Sequence, residues 1–186
     1  LFASVPERNQ ILVLPDRDAD GVADAAHVFL EGDPLNRPYG LAFHDQWLYV
    51  AAMDAVLRLQ YEPGDLSARA APEVILPLPG EGLTQRRSIL FAPDGSFYLS
   101  VGSRCHVCVE QDVRRASILK VEDGGAKVVR FGSGVRNAVG LALGPDRAGV
   151  WFTDNERDLF AEDRPPDELN LLVPGADYGW PACLGN

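Results

Sequence analysis

The chain has 186 residues, with 17 basic and 27 acidic side chains and a formal net charge of −10. Such a surface repels nucleic acid, no basic stripe offsets it, and no apolar run reaches the roughly 18 residues a membrane span needs. With 18 glycines and 14 prolines, the composition favours many short strands and tight turns over long helices.

Residues 1–4 (LFAS) and 10–16 (QILVLPD) open the chain as strand-like runs. Between the second run and the next comes DRDADGVAD at 16–24, which puts Asp16, Asp18 and Asp20 at alternate positions, with Gly21 for a sharp turn and Asp24 beyond it. Carboxylates converging from alternate positions form the first part of a Ca²⁺-binding loop. The helix–loop–helix calcium motif would require Glu where His27 stands, and neither flank has helical periodicity. The expected element is therefore a short Asp-rich, Ca²⁺-binding loop between two strands; a plain solvated turn is the alternative.

Further along, LYVA (48–51), FYLS (97–100) and VWFT (150–153) repeat the pattern of LFAS. These three are preceded by YGLAF (39–43), SILFAPDG (88–95) and VGLALGPD (139–146). All four are followed by another strand-like run: QILVLPD, AVLRLQY (55–61), ASILKVE (116–122) and ELNLLVP (168–174). PDG at 93–95 and PGD at 63–65 are turn chemistry, because Pro presets φ and Gly takes positive φ without strain. A period of about fifty residues with four strands per repeat is the signature of a propeller blade. The expected fold is all-β: an incomplete β-propeller of three to four blades, each a four-stranded antiparallel sheet, with approximate repeats 1–47, 48–96, 97–149 and 150–186. A β-sandwich leaves the period unexplained. The chain begins inside a strand without Met, so it is expected to be part of a longer protein. Cut there, it would expose blade faces and strand edges and tend to associate.

Cys105 and Cys108 form a CxxC, and Cys183 stands alone. Val109 after the second Cys excludes a c-type haem attachment, and a zinc site lacks its second pair. A local disulfide in an oxidising compartment is expected, with a reduced structural pair as the alternative.

GSRCHVC (102–108), SGVRNAVGLALGPD (133–146), FTDN (152–155) and PPDELNLLVPGADYGWP (165–181), in that order and spacing, resemble the PQQ-dependent sugar dehydrogenases, in particular their sorbosone and aldose dehydrogenase branch. The resemblance implies a six-bladed propeller that binds pyrroloquinoline quinone (PQQ) and Ca²⁺. It implies oxidation of an aldose, sorbosone or related sugar by hydride transfer to the quinone, an external electron acceptor, and a periplasmic or secreted location. Arg136 would lie against quinone and substrate as the catalytic residue, and Asn137 would hydrogen-bond the cofactor. Glu168 would give a carboxylate, and Tyr178 its backbone carbonyl, to a structural Ca²⁺. Backbone oxygens near Asn155 and Glu156 would hold the cofactor's own Ca²⁺. The chemistry suits those residue types: a base must take the hydroxyl proton, a cation polarises the quinone carbonyl, and Arg meets carboxylates in bidentate fashion.

The sequence departs from the family pattern at Ala138, where Pro is usual, and at Glu156, where many relatives have Gly. The largest departure is Thr84, nine residues before Pro93, where the family places its catalytic His. A Thr hydroxyl holds its proton too tightly to act as a base near neutral pH. Either the alignment with the family slips in this loop or the general base is lost; His106 of the CxxC loop could replace it only by approaching the axis. Arg86 and Arg87 beside Thr84 read as exposed side chains, with an anion-binding role as the alternative. The competing function is a non-catalytic, calcium-stabilised propeller that binds a carbohydrate or protein partner.

Overall fold

The structure, a computed structural model, describes residues 1–145, 147–156 and 166–183. Its strands run β1 (Phe2–Val5), β2 (Gln10–Val13), β3 (His27–Glu31), β4 (Gly40–His44), β5 (Trp47–Ala51), β6 (Ala55–Gln60) and β7 (Glu73–Pro77). They continue as β8 (Ile89–Phe91), β9 (Phe97–Val101), β10 (Ser117–Glu122), β11 (Lys127–Ser133), β12 (Ala138–Leu143), β13 (Val150–Asp154) and β14 (Glu168–Leu171). They form four antiparallel meanders: β1-β2-β3, β4-β5-β6-β7, β8-β9-β10-β11 and β12-β13-β14. No α-helix occurs among the described residues, and no helix is long and apolar enough to cross a membrane.

The segments that carry the sequence period are β1, β5, β9 and β13. In the last three sheets each is the second strand, because YGLAF, SILF and VGLAL pair in front of it as β4, β8 and β12. Hydrogen bonding thus starts those sheets one strand before the repeated segment. A periodic sequence gives the length of its unit but not the strand on which the unit begins.

Two compact units divide the chain, residues 1–78 and 79–186. In the first, Ile11, Phe29, Leu35, Leu48, Val50 and Leu57 form the buried core, and Phe2 meets Phe29, Phe43 and Tyr61 edge-on at 4.9–5.3 Å. In the second, Tyr98, Ile118, Val135, Val150, Phe152 and Leu172 play that part. β9 is buried on both faces along its whole length, so FYLSV lacks the apolar–polar alternation of a half-exposed strand.

The PDG turn joins β8 to β9 as its composition predicts. Gly95 takes φ +81°, Ser96 accepts from Ala92 N–H at 2.8 Å, and Asp94 Oδ1 accepts from both the N–H and the hydroxyl of Ser96. These bonds, with Lys120 Nζ at 3.2 Å, hold the Asp94 carboxyl down at about 2. A carboxyl depressed on folding contributes stability above its unfolded pKa of about 4, and that contribution disappears as pH falls through the folded value. Asp94→Asn should therefore flatten the loss of thermal stability between about pH 4 and pH 2. Melting curves across that range test it, and identical slopes for the two proteins would refute it.

Candidate functional site

The site lies in the second unit, where β11 gives way to β12. β11 ends at Ser133, Gly134 turns the chain with φ +68°, and Arg136 and Asn137 follow just before β12. The DYGWP segment runs beside this turn. Ser133 N–H donates to Ala176 O at 2.9 Å, Tyr178 N–H to Ser133 O at 2.9 Å and Trp180 N–H to Gly134 O at 3.0 Å, with a parallel bridge between Ser133 and Asp177. Two motifs some forty residues apart in sequence are thereby zipped together. Tyr178 anchors the zip: its hydroxyl donates to Leu171 O at 2.8 Å and accepts from Val173 N–H at 2.9 Å, while its ring meets Phe152 edge-on.

Asp154, the last residue of β13, fixes the Arg–Asn pair through the backbone. Its Oδ2 accepts from Arg136 N–H at 2.8 Å and its Oδ1 from Asn137 N–H at 2.6 Å. The carboxyl is 2% exposed. Burial pushes it up to about 7 against the pull of those two N–H donors, and the charges of Glu156 and Glu168 add to the upward push.

The Arg136 side chain is itself buried, at 4% exposure. Its Nη1 donates to Asn155 O and to Glu156 O, each at 2.7 Å, and its Nη2 lies 3.4 Å from His106 Nδ1. Asp167 holds the two carbonyls in place, accepting from Glu156 N–H at 2.9 Å and from Asn155 Nδ2 at 3.3 Å. Asn137 Oδ1 and Arg136 Nε are buried and have no hydrogen-bond partner among the described residues.

Cys105 and Cys108 are joined in a disulfide, in agreement with the expected local bridge. The short ring they close contains His106, whose carbonyl accepts from Trp180 Nε1 at 3.4 Å. Thr84 is buried, and its hydroxyl donates to Ser103 O at 2.5 Å. It fills the space above Gly102, where a Cβ would overlap Thr84 Oγ1. Ser103 N–H in turn donates to Arg136 O at 2.8 Å. Thr84 is thus next to the site but committed to packing. Its neighbours split: Arg86 is exposed, as expected, but Arg87 is 1% exposed. Arg87 is not the solvated side chain its neighbour is, because its guanidinium ties the loop together through Thr84 O and Pro79 O, both at 3.0 Å.

Glu168 sits opposite Asp154 in the β13–β14 register, and its Oε2 accepts from Asn170 Nδ2 at 2.8 Å. In the first unit, carboxylate oxygens of Asp16, Asp18 and Asp20 lie within 4.8 Å of one another, all exposed. Asp24 closes that loop instead, accepting from Arg17 N–H at 2.7 Å. Ala138 begins β12 and is buried. Asp154 and Asp167, which hold the site together, had no assigned role in the sequence; the FTDN and PPDE motifs that contain them were the available signal.

Residues 3–170 match the sequence family described as a domain of unknown function, DUF7133. The chain belongs to that family. It is also 23% identical over 163 residues to an uncharacterized protein of Borreliella burgdorferi, a match over 81% of this chain and 43% of that protein. Among solved structures, the PQQ-bound aldose sugar dehydrogenase of Streptomyces coelicolor superposes with a TM-score of 0.78 at 20% identity, over all of this chain and 60% of that one. The PQQ domain of the Coprinopsis cinerea pyranose dehydrogenase gives 0.76 at 18% identity, over 97% of this chain and 51% of its own. The DUF7133 chain therefore has the β-propeller fold of these sugar dehydrogenases, and it spans about half to three-fifths of their length.

Proposed function

We propose that this DUF7133 chain is the Arg136-bearing part of a PQQ-dependent dehydrogenase that oxidises an aldose, sorbosone or related sugar and passes the electrons to an external acceptor. The observation that carries the proposal is the Arg136–Asn137 pair, in which the buried atoms Asn137 Oδ1 and Arg136 Nε lack hydrogen-bond partners among the described residues. An orphaned buried polar atom is costly unless a ligand completes it: Arg136 Nε is a donor that suits a carbonyl or carboxylate oxygen, and Asn137 Oδ1 is an acceptor that suits an N–H or O–H of the same ligand. PQQ bound there would accept a hydride from the sugar's anomeric carbon. Asn137 would hydrogen-bond the quinone, Arg136 would lay its fixed positive charge beside it, and Asp154 would hold both backbones in register. His106 would take the hydroxyl proton at Nε2, because its Nδ1 already faces Arg136 Nη2 at 3.4 Å.

Calcium is proposed at two of the three expected places. The Asp16, Asp18 and Asp20 carboxylates converge as an oxygen-ligand set should, and Glu168 with the Tyr178 carbonyl is retained as a second, structural position. The carbonyl pair of Asn155 and Glu156 does not fit an ion, because Arg136 Nη1 already fills it. A periplasmic or secreted location agrees with the disulfide.

The test is dye reduction by aldoses in the full-length protein loaded with PQQ, alongside a quinone-binding titration. His106→Gln should cut turnover by roughly 10²–10⁴-fold, the usual span for a general base, while quinone affinity stays nearly unchanged. The committed, buried hydroxyl of Thr84 supports the second reading, a non-catalytic propeller. Tight quinone binding without any dye reduction would favour that reading over the first.

A further inference from the structure

We infer that the cation at the Asn155–Glu156 carbonyl pair is the Arg136 guanidinium itself, in place of a divalent metal ion. Both carbonyl oxygens stand 2.7 Å from a single nitrogen, Arg136 Nη1. Ca²⁺ needs its oxygens at about 2.3–2.6 Å and six to eight of them. An ion shared by these two oxygens would have to occupy the space of Nη1 and would meet a positive charge there.

Hydrogen bonds hold the cradle from the Asp154 and Asp167 sides. Asp154 clamps the Arg136 and Asn137 backbones, Asn155 N–H donates to Asn137 O at 3.2 Å, and Asp167 clamps Glu156 N–H and the Asn155 amide. Arg136 enters from β11's end with almost no solvent contact. Burying a charge is costly unless hydrogen bonds replace its water, and the two carbonyls supply that replacement for Nη1. A guanidinium keeps its charge at all accessible pH and cannot be removed by a chelator. The polarising charge is then part of the chain, so neither the charge nor ligand binding beside it depends on added metal. The inference leans on the quinone reading only for the expectation that an ion belongs at these carbonyls. Its test uses metal alone first, so its failure and that of the quinone reading are distinguishable.

The test uses the full chain with the other two candidate calcium positions silenced by Asp18→Asn, Asp20→Asn and Glu168→Gln, titrated with Tb³⁺ under tryptophan excitation and with Ca²⁺ by calorimetry. With Arg136 intact, no ion should bind up to about 1 mM, the weak end of protein calcium sites. Arg136→Gln in the same background should gain one ion, at least roughly tenfold tighter than that limit, and Arg136→Lys should bind none, because an ammonium can refill the cradle. Binding of one ion with Arg136 intact overturns the inference, as does a glutamine variant that folds and binds nothing. If the glutamine variant fails to fold, PQQ titration of the unaltered chain decides. Affinity unchanged by EGTA supports the guanidinium, and a loss of roughly tenfold or more on chelation overturns it.

Discussion

Gly134→Ala should destabilise the second unit by roughly 3–6 kcal/mol, more than a typical single substitution. Two costs add. A residue with a Cβ held at φ +68° pays about 1–2 kcal/mol for the left-handed conformation. The new Cβ would also overlap Asp177 Oδ1 and come within 2.6 Å of Gly179 N and 3.0 Å of Tyr178 N. The two nitrogens belong to the backbone of the DYGWP segment, so relief requires that segment to move and not only the Asp177 side chain to turn away. Moving it strains the bonds from Tyr178 N–H to Ser133 O and from Trp180 N–H to Gly134 O, which adds overpacking and hydrogen-bond losses of a few kcal/mol. Gly175→Ala is the internal control. Its φ is +74° but nothing lies within 4 Å of its Cβ, so only the left-handed backbone cost of about 1–2 kcal/mol applies. Urea denaturation followed through Trp180 fluorescence separates the two. Equal midpoints for both variants would show that the zip between the two motifs contributes little.

That zip illustrates what the sequence conveys and what it withholds. GVRN and DYGWP were readable as a pair because both are unusual in composition and fixed in order, and they do meet. Strand and turn positions were readable because side-chain alternation and the PDG turn are local properties. Sheet phase was not, since LYVA and FYLS look alike whether they begin a sheet or stand second in it. Burial of charge was the least legible. Arg86 and Arg87 are adjacent and chemically identical, yet one faces solvent and the other ties down a loop. That difference arises from the carbonyls of Thr84 and Pro79, which only the folded loop brings together. His106 shows the same limit: thirty positions from Arg136 in sequence, it is placed against that residue by the disulfide ring and by Trp180.

Asp154 is where fold and site share one residue, and Asp154→Ala should be the most damaging change at the site. It removes the acceptor for two buried N–H groups, those of Arg136 and Asn137, each costing about 1–3 kcal/mol when left unsatisfied. Ligand binding should fall with stability, because the same two residues carry the candidate cofactor contacts. Asp154→Asn separates these effects from charge. Its amide keeps one acceptor oxygen but turns an N–H₂ toward the other donor, so part of the loss remains. Its pH dependence should differ in kind. The Asp154 carboxyl titrates at about 7 in the fold, against about 4 when unfolded. The folded state thus binds the extra proton between those values, and the group's contribution to stability, complete below about pH 4, disappears as pH rises through about 7. The native protein should lose melting temperature over that interval in excess of Asp154→Asn, which has no proton to release. Parallel stability–pH curves for the two proteins between about pH 4 and pH 7 would mean that the carboxylate is better solvated than its 2% exposure implies.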